Sequence, residues 1–305
     1  MIPLPESARV VVPSKLATDL LSAVKKLPLY DDKALYDVKL QATVREQIRT
    51  LIAGDGFDWL VEEIRKRLIR KPYCAYVTGL QFDDPNLVFF SLAGAFGDVV
   101  DDPYNPSSRL VRDLQPSTDK VIPDGWGVLN EQLHTDSTDW PEPNALTCLH
   151  CIRPDYEGGG RSRLLDIDTL LVELDKRFGQ EVLKILHTEA VPWWIADKFG
   201  GGVLRTPVFT ANSVRWLPYT IKFALENNQE SLPETISASL GAMENVLNEA
   251  TGIIDFAMAP GSLWFINNKL SLHSRTPIKN PQASKRLVLR TKIQHSSGFY
   301  ANTHH

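Results

Sequence analysis

The stretch Gln132-Leu133-His134-Thr135-Asp136, paired with Leu272-His273-Ser274-Arg275 far downstream, constrains this chain more than any other feature. A His and an Asp two residues apart share one face of an extended strand. Imidazole and carboxylate can then reach one metal ion while Thr135 points the other way. A second His delivered by the fold completes a facial triad. Two His and one carboxylate leave adjacent coordination positions open, as expected of a non-haem Fe(II) site that takes a co-substrate and O2 together. Whatever the chain folds into has to bring these two distant segments together.

The pattern from about residue 120 onward supplies such a scaffold. Val128 to Leu133, Ala145 to Ile152, Arg163 to Ile167, Val203 to Thr210, Ile253 to Met258, Ser262 to Ile266 and Leu287 to Gln294 are predicted strands. Pro and Gly turns separate them, and helices are predicted near 168 to 187 and 218 to 250. This is a β-barrel or jelly roll decorated by helices. Upstream, Leu16, Leu20, Val24 and Leu27 have the spacing of an amphipathic helix with Ser14 as its N-cap. Further helices are predicted over 40 to 52 and 57 to 70, broken at Gly54-Asp55-Gly56. A strand over 72 to 79 ending in the turn glycine Gly79, and a short apolar helix from Asn86 to Phe96, follow. The expected organisation over 1–305 is a single domain. Residues 1–71 are mostly helical support, 72–295 the core with its insertions, and 296–305 a loose tail.

Composition narrows the function classes. Hydrophobic residues are 43% and charged residues 23%, values of a globular protein with a sizeable core. The net charge of -4 and the absence of any long Lys/Arg run provide no footprint for nucleic acid or an anionic membrane. A small-molecule partner is expected. No stretch of about 18 apolar residues or charged-then-apolar leader is visible, and three cysteines fit a reducing compartment, so a cytoplasmic location is expected. Cys148 and Cys151 form a C-x-x-C around His150, but no second pair follows and the neighbours have the character of a buried strand.

Arg286 and Arg290 lie four apart in a strand-like segment, so both guanidinium groups face one side while Leu287 and Leu289 face the other. A guanidinium fork holds a carboxylate bidentately. One arginine would suit the remote carboxylate of a 2-oxo diacid chelating the metal, the other an acidic group on the substrate.

With these residues in place, the chain resembles the Fe(II)- and 2-oxoglutarate-dependent dioxygenases of the taurine dioxygenase and clavaminate synthase type. The resemblance runs from about Pro72 to Ile293. It rests on Val77-Thr78-Gly79-Leu80, Leu133-His134-Thr135-Asp136, the glycine run Glu157-Gly158-Gly159-Gly160-Arg161-Ser162, and His273-Ser274-Arg275-Thr276-Pro277 leading to Arg286. It implies a mainly β fold with helices: a double-stranded β-helix (jelly roll, cupin-like) core with N-terminal helices and helical insertions. It also implies that His134, Asp136 and His273 ligate Fe(2+), with 2-oxoglutarate and O2 as co-substrates. Ser162 stands where the family has a Thr that helps bind the far carboxylate of 2-oxoglutarate, and Arg286 matches the arginine for that carboxylate. Arg290 and Asn130 match substrate-contacting positions, and Asn268 is expected to hold the turn that presents His273. Halogenating relatives carry Gly or Ala in place of Asp136, so the intact carboxylate implies hydroxylation or another C–H oxidation, with release of succinate and CO2.

The substrate expected is a small polar acid, amino-acid-like or a natural-product intermediate, under a lid that could include Trp193, Trp194, Trp216, Arg205 and Arg215. Two other readings stand beside this one. They are a jelly-roll binding protein without turnover, and a cupin-type metalloenzyme that does not use 2-oxoglutarate.

Overall fold

The computed structural model describes residues 1–28, 37–52, 54–80, 92–100, 112–114, 131–211, 213–281 and 283–294. A short strand β1 (Arg9–Val11) precedes helix α1 (Ser14–Val24). Leu16, Ala17, Leu20, Ala23 and Val24 form the buried stripe of α1. Ser14 lies within the first turn rather than capping it: the helix begins one residue earlier because the Pro13 carbonyl accepts the Ala17 N–H at 3.0 Å. In α2 (Val38–Leu51) the expected start moves to Asp37, whose carboxylate accepts from Lys39 N and Leu40 N. Helix α3 (Gly56–Leu68) buries Phe57, Leu60, Ile64 and Leu68.

Strands β2 (Cys74–Thr78), β3 (Asp98–Val100), β4 (Arg112–Leu114), β5 (Leu146–Arg153) and β6 (Ser162–Asp166) come next. After β2, Gly79 has φ +88, and a Cβ there would stand 2.7 Å from the Val12 carbonyl oxygen, so only glycine fits. The first predicted helical insertion is divided at Gly179 into α4 (Ile167–Phe178) and α5 (Gln180–Thr188). The hairpin β7 (Val191–Trp194) and β8 (Val203–Thr206) and the short pair β9 (Phe209–Thr210) and β10 (Ser213–Val214) follow. The second insertion is likewise two helices, α6 (Pro218–Asn228) and α7 (Glu234–Glu249), separated at left-handed Gln229 and Pro233. Strands β11 (Ile254–Phe256), β12 (Leu263–Asn267), β13 (Ser271–Arg275) and β14 (Leu287–Gln294) close the chain.

These strands build the two faces of a double-stranded β-helix. A seven-stranded sheet runs β1-β2-β12-β5-β14-β3, with β4 also on β14, and a three-stranded sheet runs β11-β6-β13. Alternation assigns each side chain to a layer. On the large sheet, Ala75, Val77, Leu263, Phe265, Cys148, Leu289 and Ile293 pack outward beneath α1, α2 and α3. Cys74, Tyr76, Trp264, Ile266, Cys151 and Val288 point inward and meet Leu164, Ile254 and Phe256 of the small sheet. The small sheet turns Leu165 and Leu272 outward onto α4 and α7 and onto Trp193 and Trp216. Fully buried side chains such as Phe265 each contribute about 1.5–3 kcal/mol. The inner apolar cluster makes the two sheets one body, and the site lies between them.

Two of the sequence expectations fall outside the described residues, Asn130 and the tail over 296–305. So do the greater part of the helix expected from Asn86 and the first half of the strand expected from Val128.

Candidate active site

His134 and His273 are placed by one backbone contact. His134 N–H donates to His273 O at 3.1 Å and His273 N–H to His134 O at 2.8 Å, an isolated antiparallel bridge. Residues that exchange both bonds in this way lie directly opposite each other with side chains to the same side. The ring centroids are 4.8 Å apart. His273 itself sits on β13, paired with Leu164 of β6, a strand that its polar neighbours Ser271, Ser274 and Arg275 hide from hydropathy patterning.

Asp136 lies in a turn rather than on a continuing strand, and side chains hold that turn. Its N–H donates to Asn268 Oδ1 at 2.8 Å, and Asn268 Nδ2 donates to Asp136 O at 3.1 Å and to Asn144 O at 2.9 Å. Asn268 therefore fixes Asp136, not the turn before His273 as expected. Asn267 serves that turn, accepting from Lys269 N and from Ser271 Oγ. Thr135 points away as the alternation requires, its hydroxyl accepting from Trp216 N at 2.9 Å.

The Asp136 carboxylate is fully engaged on its outer side. Thr147 Oγ1 donates to Oδ2 at 2.6 Å, Arg290 Nη1 donates to Oδ1 at 3.1 Å, and His273 Nε2 stands 3.4 Å from Oδ2. Burial opposes ionisation, but Arg290 and then Lys292 outweigh it and hold the carboxyl well below its usual range. Burial, then the neighbouring His273, lowers the His134 imidazole to about 4, so it is neutral near pH 7. Its Nδ1 lies 2.7 Å from Gln132 O, which assigns the proton to Nδ1 and leaves the Nε2 lone pair for a ligand. One ligand atom from each of His134, Asp136 and His273 lies within 4.8 Å of the others. Two imidazole donors and one anionic oxygen, all buried, fit a divalent iron.

A second cluster lies at the start of β14. Arg286 is 8% exposed, and among the described residues no carboxylate pairs with its guanidinium. Burial, then the nearby Arg275, lowers its pKa. The glycine run lies against it: Gly160 has φ +59, and a Cβ there would stand 2.8 Å from Arg286 Nε. Asp155 ties the two together, accepting from Gly159 N at 3.1 Å and Ser284 Oγ at 3.2 Å, while Ser284 Oγ accepts from Arg286 N at 3.3 Å. Ser162 is buried and registers with Arg275 on β13. A buried cation with no counter-ion among the described residues fits the far carboxylate of a 2-oxo diacid.

The structure brings Arg286 and Arg290 to one face, as their spacing predicts, with Val288 between them in the inner cluster and Leu289 outside. Cys148 and Cys151 face opposite sides of β5 and cannot share a metal; all three cysteines are free and buried. Of the expected lid residues, Trp193 and Trp216 are core side chains at 0% and 2% exposure, and Arg215 stacks over Trp193 at 5.7 Å. Arg205 pairs with Glu230 at the surface, and Trp194 packs edge-on against Phe223. Thr147, Asn144 and Lys292 are the contributors that sequence reasoning passed over.

A family profile described as "Taurine catabolism dioxygenase TauD, TfdA family" matches residues 55–292, most of the chain. No curated protein sequence matches it. Among solved structures, an asparagine oxygenase in complex with Fe(II), 2S,3S-3-hydroxyasparagine and succinate is similar with TM-score 0.73 and 14% identity, covering 94% of this chain and 93% of that chain. Non-heme iron oxygenase OrfP in complex with Fe and alpha-ketoglutaric acid has TM-score 0.69 and 15% identity over 94% and 93%. The same oxygenase with Fe and L-homoarginine has 0.68 and 13% over 94% and 93%. At these identities the likeness concerns the fold, a jelly roll. With the family profile spanning the glycine run, both iron-site segments and Arg286, the chain belongs to the taurine catabolism dioxygenase TauD, TfdA family and is an Fe(II)- and 2-oxoglutarate-dependent oxygenase.

Proposed function

We propose that this oxygenase hydroxylates an unactivated C–H bond of a free amino acid or a close relative, acting as one domain over 1–305 in the cytoplasm. The carrying observation is the buried cluster of His134, Asp136 and His273, whose ligand atoms lie within 4.8 Å of one another. Support for the substrate class comes from the similar structures, whose ligands are 3-hydroxyasparagine, L-homoarginine and (3S)-hydroxy-L-Arg.

His134 Nε2, an Asp136 oxygen and His273 would hold the iron, leaving the remaining positions to 2-oxoglutarate and O2. When bound, iron with 2-oxoglutarate supplies the oxidant for C–H cleavage, and 2-oxoglutarate leaves as succinate and CO2. Arg286 with Ser162 receives the far carboxylate, which sets the co-substrate's orientation before its other end reaches the metal. Arg290 and Thr147 clamp Asp136 in its ionised form, so the carboxylate needs no reorganisation on metal binding. The inward apolar surface of Val288, Leu164 and Trp264 excludes water from the space between the two clusters. Asn130 stays on the substrate side of this proposal, whereas Arg290, expected there too, is engaged with Asp136.

The test is anaerobic addition of Fe(II) and 2-oxoglutarate to the metal-free protein, followed by succinate assay in air over a panel of L-amino acids. A visible charge-transfer band and amino-acid-stimulated succinate are expected. Absence of the band with fully loaded metal refutes the cofactor roles. A band without stimulated turnover refutes the amino-acid substrate class.

A further inference from the structure

We propose that Lys292 and Trp140 form a subsite that holds an oxyanion of the substrate next to Asp136, an inference that rests on the oxygenase reading above. Lys292 continues the inward series Arg286, Val288, Arg290 along β14, and its partner across β5 is Thr147, whose hydroxyl donates to Asp136. Of the three inward cations of β14, Arg286 faces the glycine run and Arg290 is engaged with Asp136. Lys292 is the third, and it lies furthest along the strand from the 2-oxo acid cluster.

Lys292 is 5% exposed, and its ammonium lies 4.9 Å from the centroid of the Trp140 ring. That distance is within cation–π range and fixes the head group over the indole. Trp140 ends the turn that begins at Asp136, its N–H donating to Ser137 O at 3.0 Å. The indole is 4% exposed, and its Nε1 has no hydrogen-bond partner among the described residues. Buried Trp N–H groups normally have one. Phe199, on the loop joining β7 to β8, covers the same ring with centroids 5.0 Å apart. An N–H donor lacking an acceptor and an ammonium with three donors therefore lie together beside the iron ligand. An oxyanion is the ligand chemistry that accepts from the indole N–H and is attracted by the neighbouring ammonium.

The experiment compares acid and amide probes. Succinate release is followed with L-asparagine against L-asparaginamide for an α-carboxylate, L-aspartate against L-asparagine for a side-chain carboxylate, and taurine for a sulfonate. At least one oxyanion probe should stimulate the wild type, its uncharged counterpart requiring about tenfold more for the same rate. In Lys292→Met that discrimination should fall to about twofold, and Lys292→Arg should recover part of it. Trp140→Phe, which keeps the ring and deletes the N–H, should raise KM about threefold with kcat held. In Trp140→Phe and Lys292→Arg the anaerobic charge-transfer band should form at wild-type Fe(II) and 2-oxoglutarate concentrations, and Lys292→Met, which removes a charge that helps keep Asp136 ionised, is compared at saturating Fe(II). Undiminished discrimination in Lys292→Met overturns the subsite. So does a loss of iron binding in that variant that matches its loss of probe binding, or the absence of stimulation by every oxyanion probe. A wild type without the band fails at the oxygenase reading itself.

Discussion

Replacing Asn268 by Ala is the sharpest test of how Asp136 is held. Asn268 is 1% exposed and its amide spans three backbone groups, Asp136 N at 2.8 Å, Asp136 O at 3.1 Å and Asn144 O at 2.9 Å. Truncation leaves a buried N–H without an acceptor, about 1–3 kcal/mol, and removes donors from two carbonyls at a smaller cost each, for a total of about 3–4 kcal/mol. In the metal-free protein that corresponds to a Tm lower by roughly 5–6 °C. The same loss frees the turn, and supports of this kind change metal affinity by about 10–100-fold. The assay is Fe(II) titration of the anaerobic 2-oxoglutarate complex, alongside thermal unfolding of the metal-free protein. Fe(II) affinity unchanged within about twofold, with the full drop in Tm, would refute the reasoning: the amide would then serve the fold and not the ligand.

Thr147→Val removes the 2.6 Å hydrogen bond to Asp136 at nearly constant shape, so Fe(II) affinity should drop about tenfold with little change in Tm; equal affinity refutes the clamp. Gly160→Ala places a methyl 2.8 Å from Arg286 Nε at a left-handed φ, and KM for 2-oxoglutarate should rise about tenfold without loss of iron; an unchanged KM separates the glycine run from the co-substrate. Arg286→Ala should weaken 2-oxoglutarate binding by about 2–5 kcal/mol while Fe(II) titration of the binary complex stays normal. Metal-free stability should depend on pH through His134 and His150, both lowered to about 4, chiefly by burial. The unfolded chain takes up these protons near pH 6.5, so stability is full above that value and falls toward pH 4, by about 3 kcal/mol per histidine; a flat Tm over that interval would show that the rings are not buried neutral.

The triad was legible because its chemistry needs rare residue types at a fixed spacing, and His134, Asp136 and His273 meet as that spacing required. Arg286 and Arg290 were legible for the same reason, strand alternation acting on two large cations. The supports were not. Thr147 lies in an apolar strand, where a threonine passes for a strand former, and Asn144 and Asn268 are common turn residues with nothing to mark a shared partner. The same ambiguity misplaced Trp193 and Trp216, since a large aromatic side chain suits a lid and a core equally well. Strand β13 escaped notice because its outward Leu272 is the one strongly apolar residue among polar ones. The helical insertions were found as regions but not as pairs, although Gly179 and Pro233 marked the breaks.

The bridge between His134 and His273 also bears on how the chain recognises its own correct fold. A slip of β13 by one residue along β6 would turn His273 outward and push Leu272 toward the site. Such a slip would cost few backbone hydrogen bonds, yet it would leave His134 and Asp136 without their third donor. Iron held by all three side chains would preferentially stabilise the one register that brings them together. The metal site would in this sense act as a proofreader of the sheet.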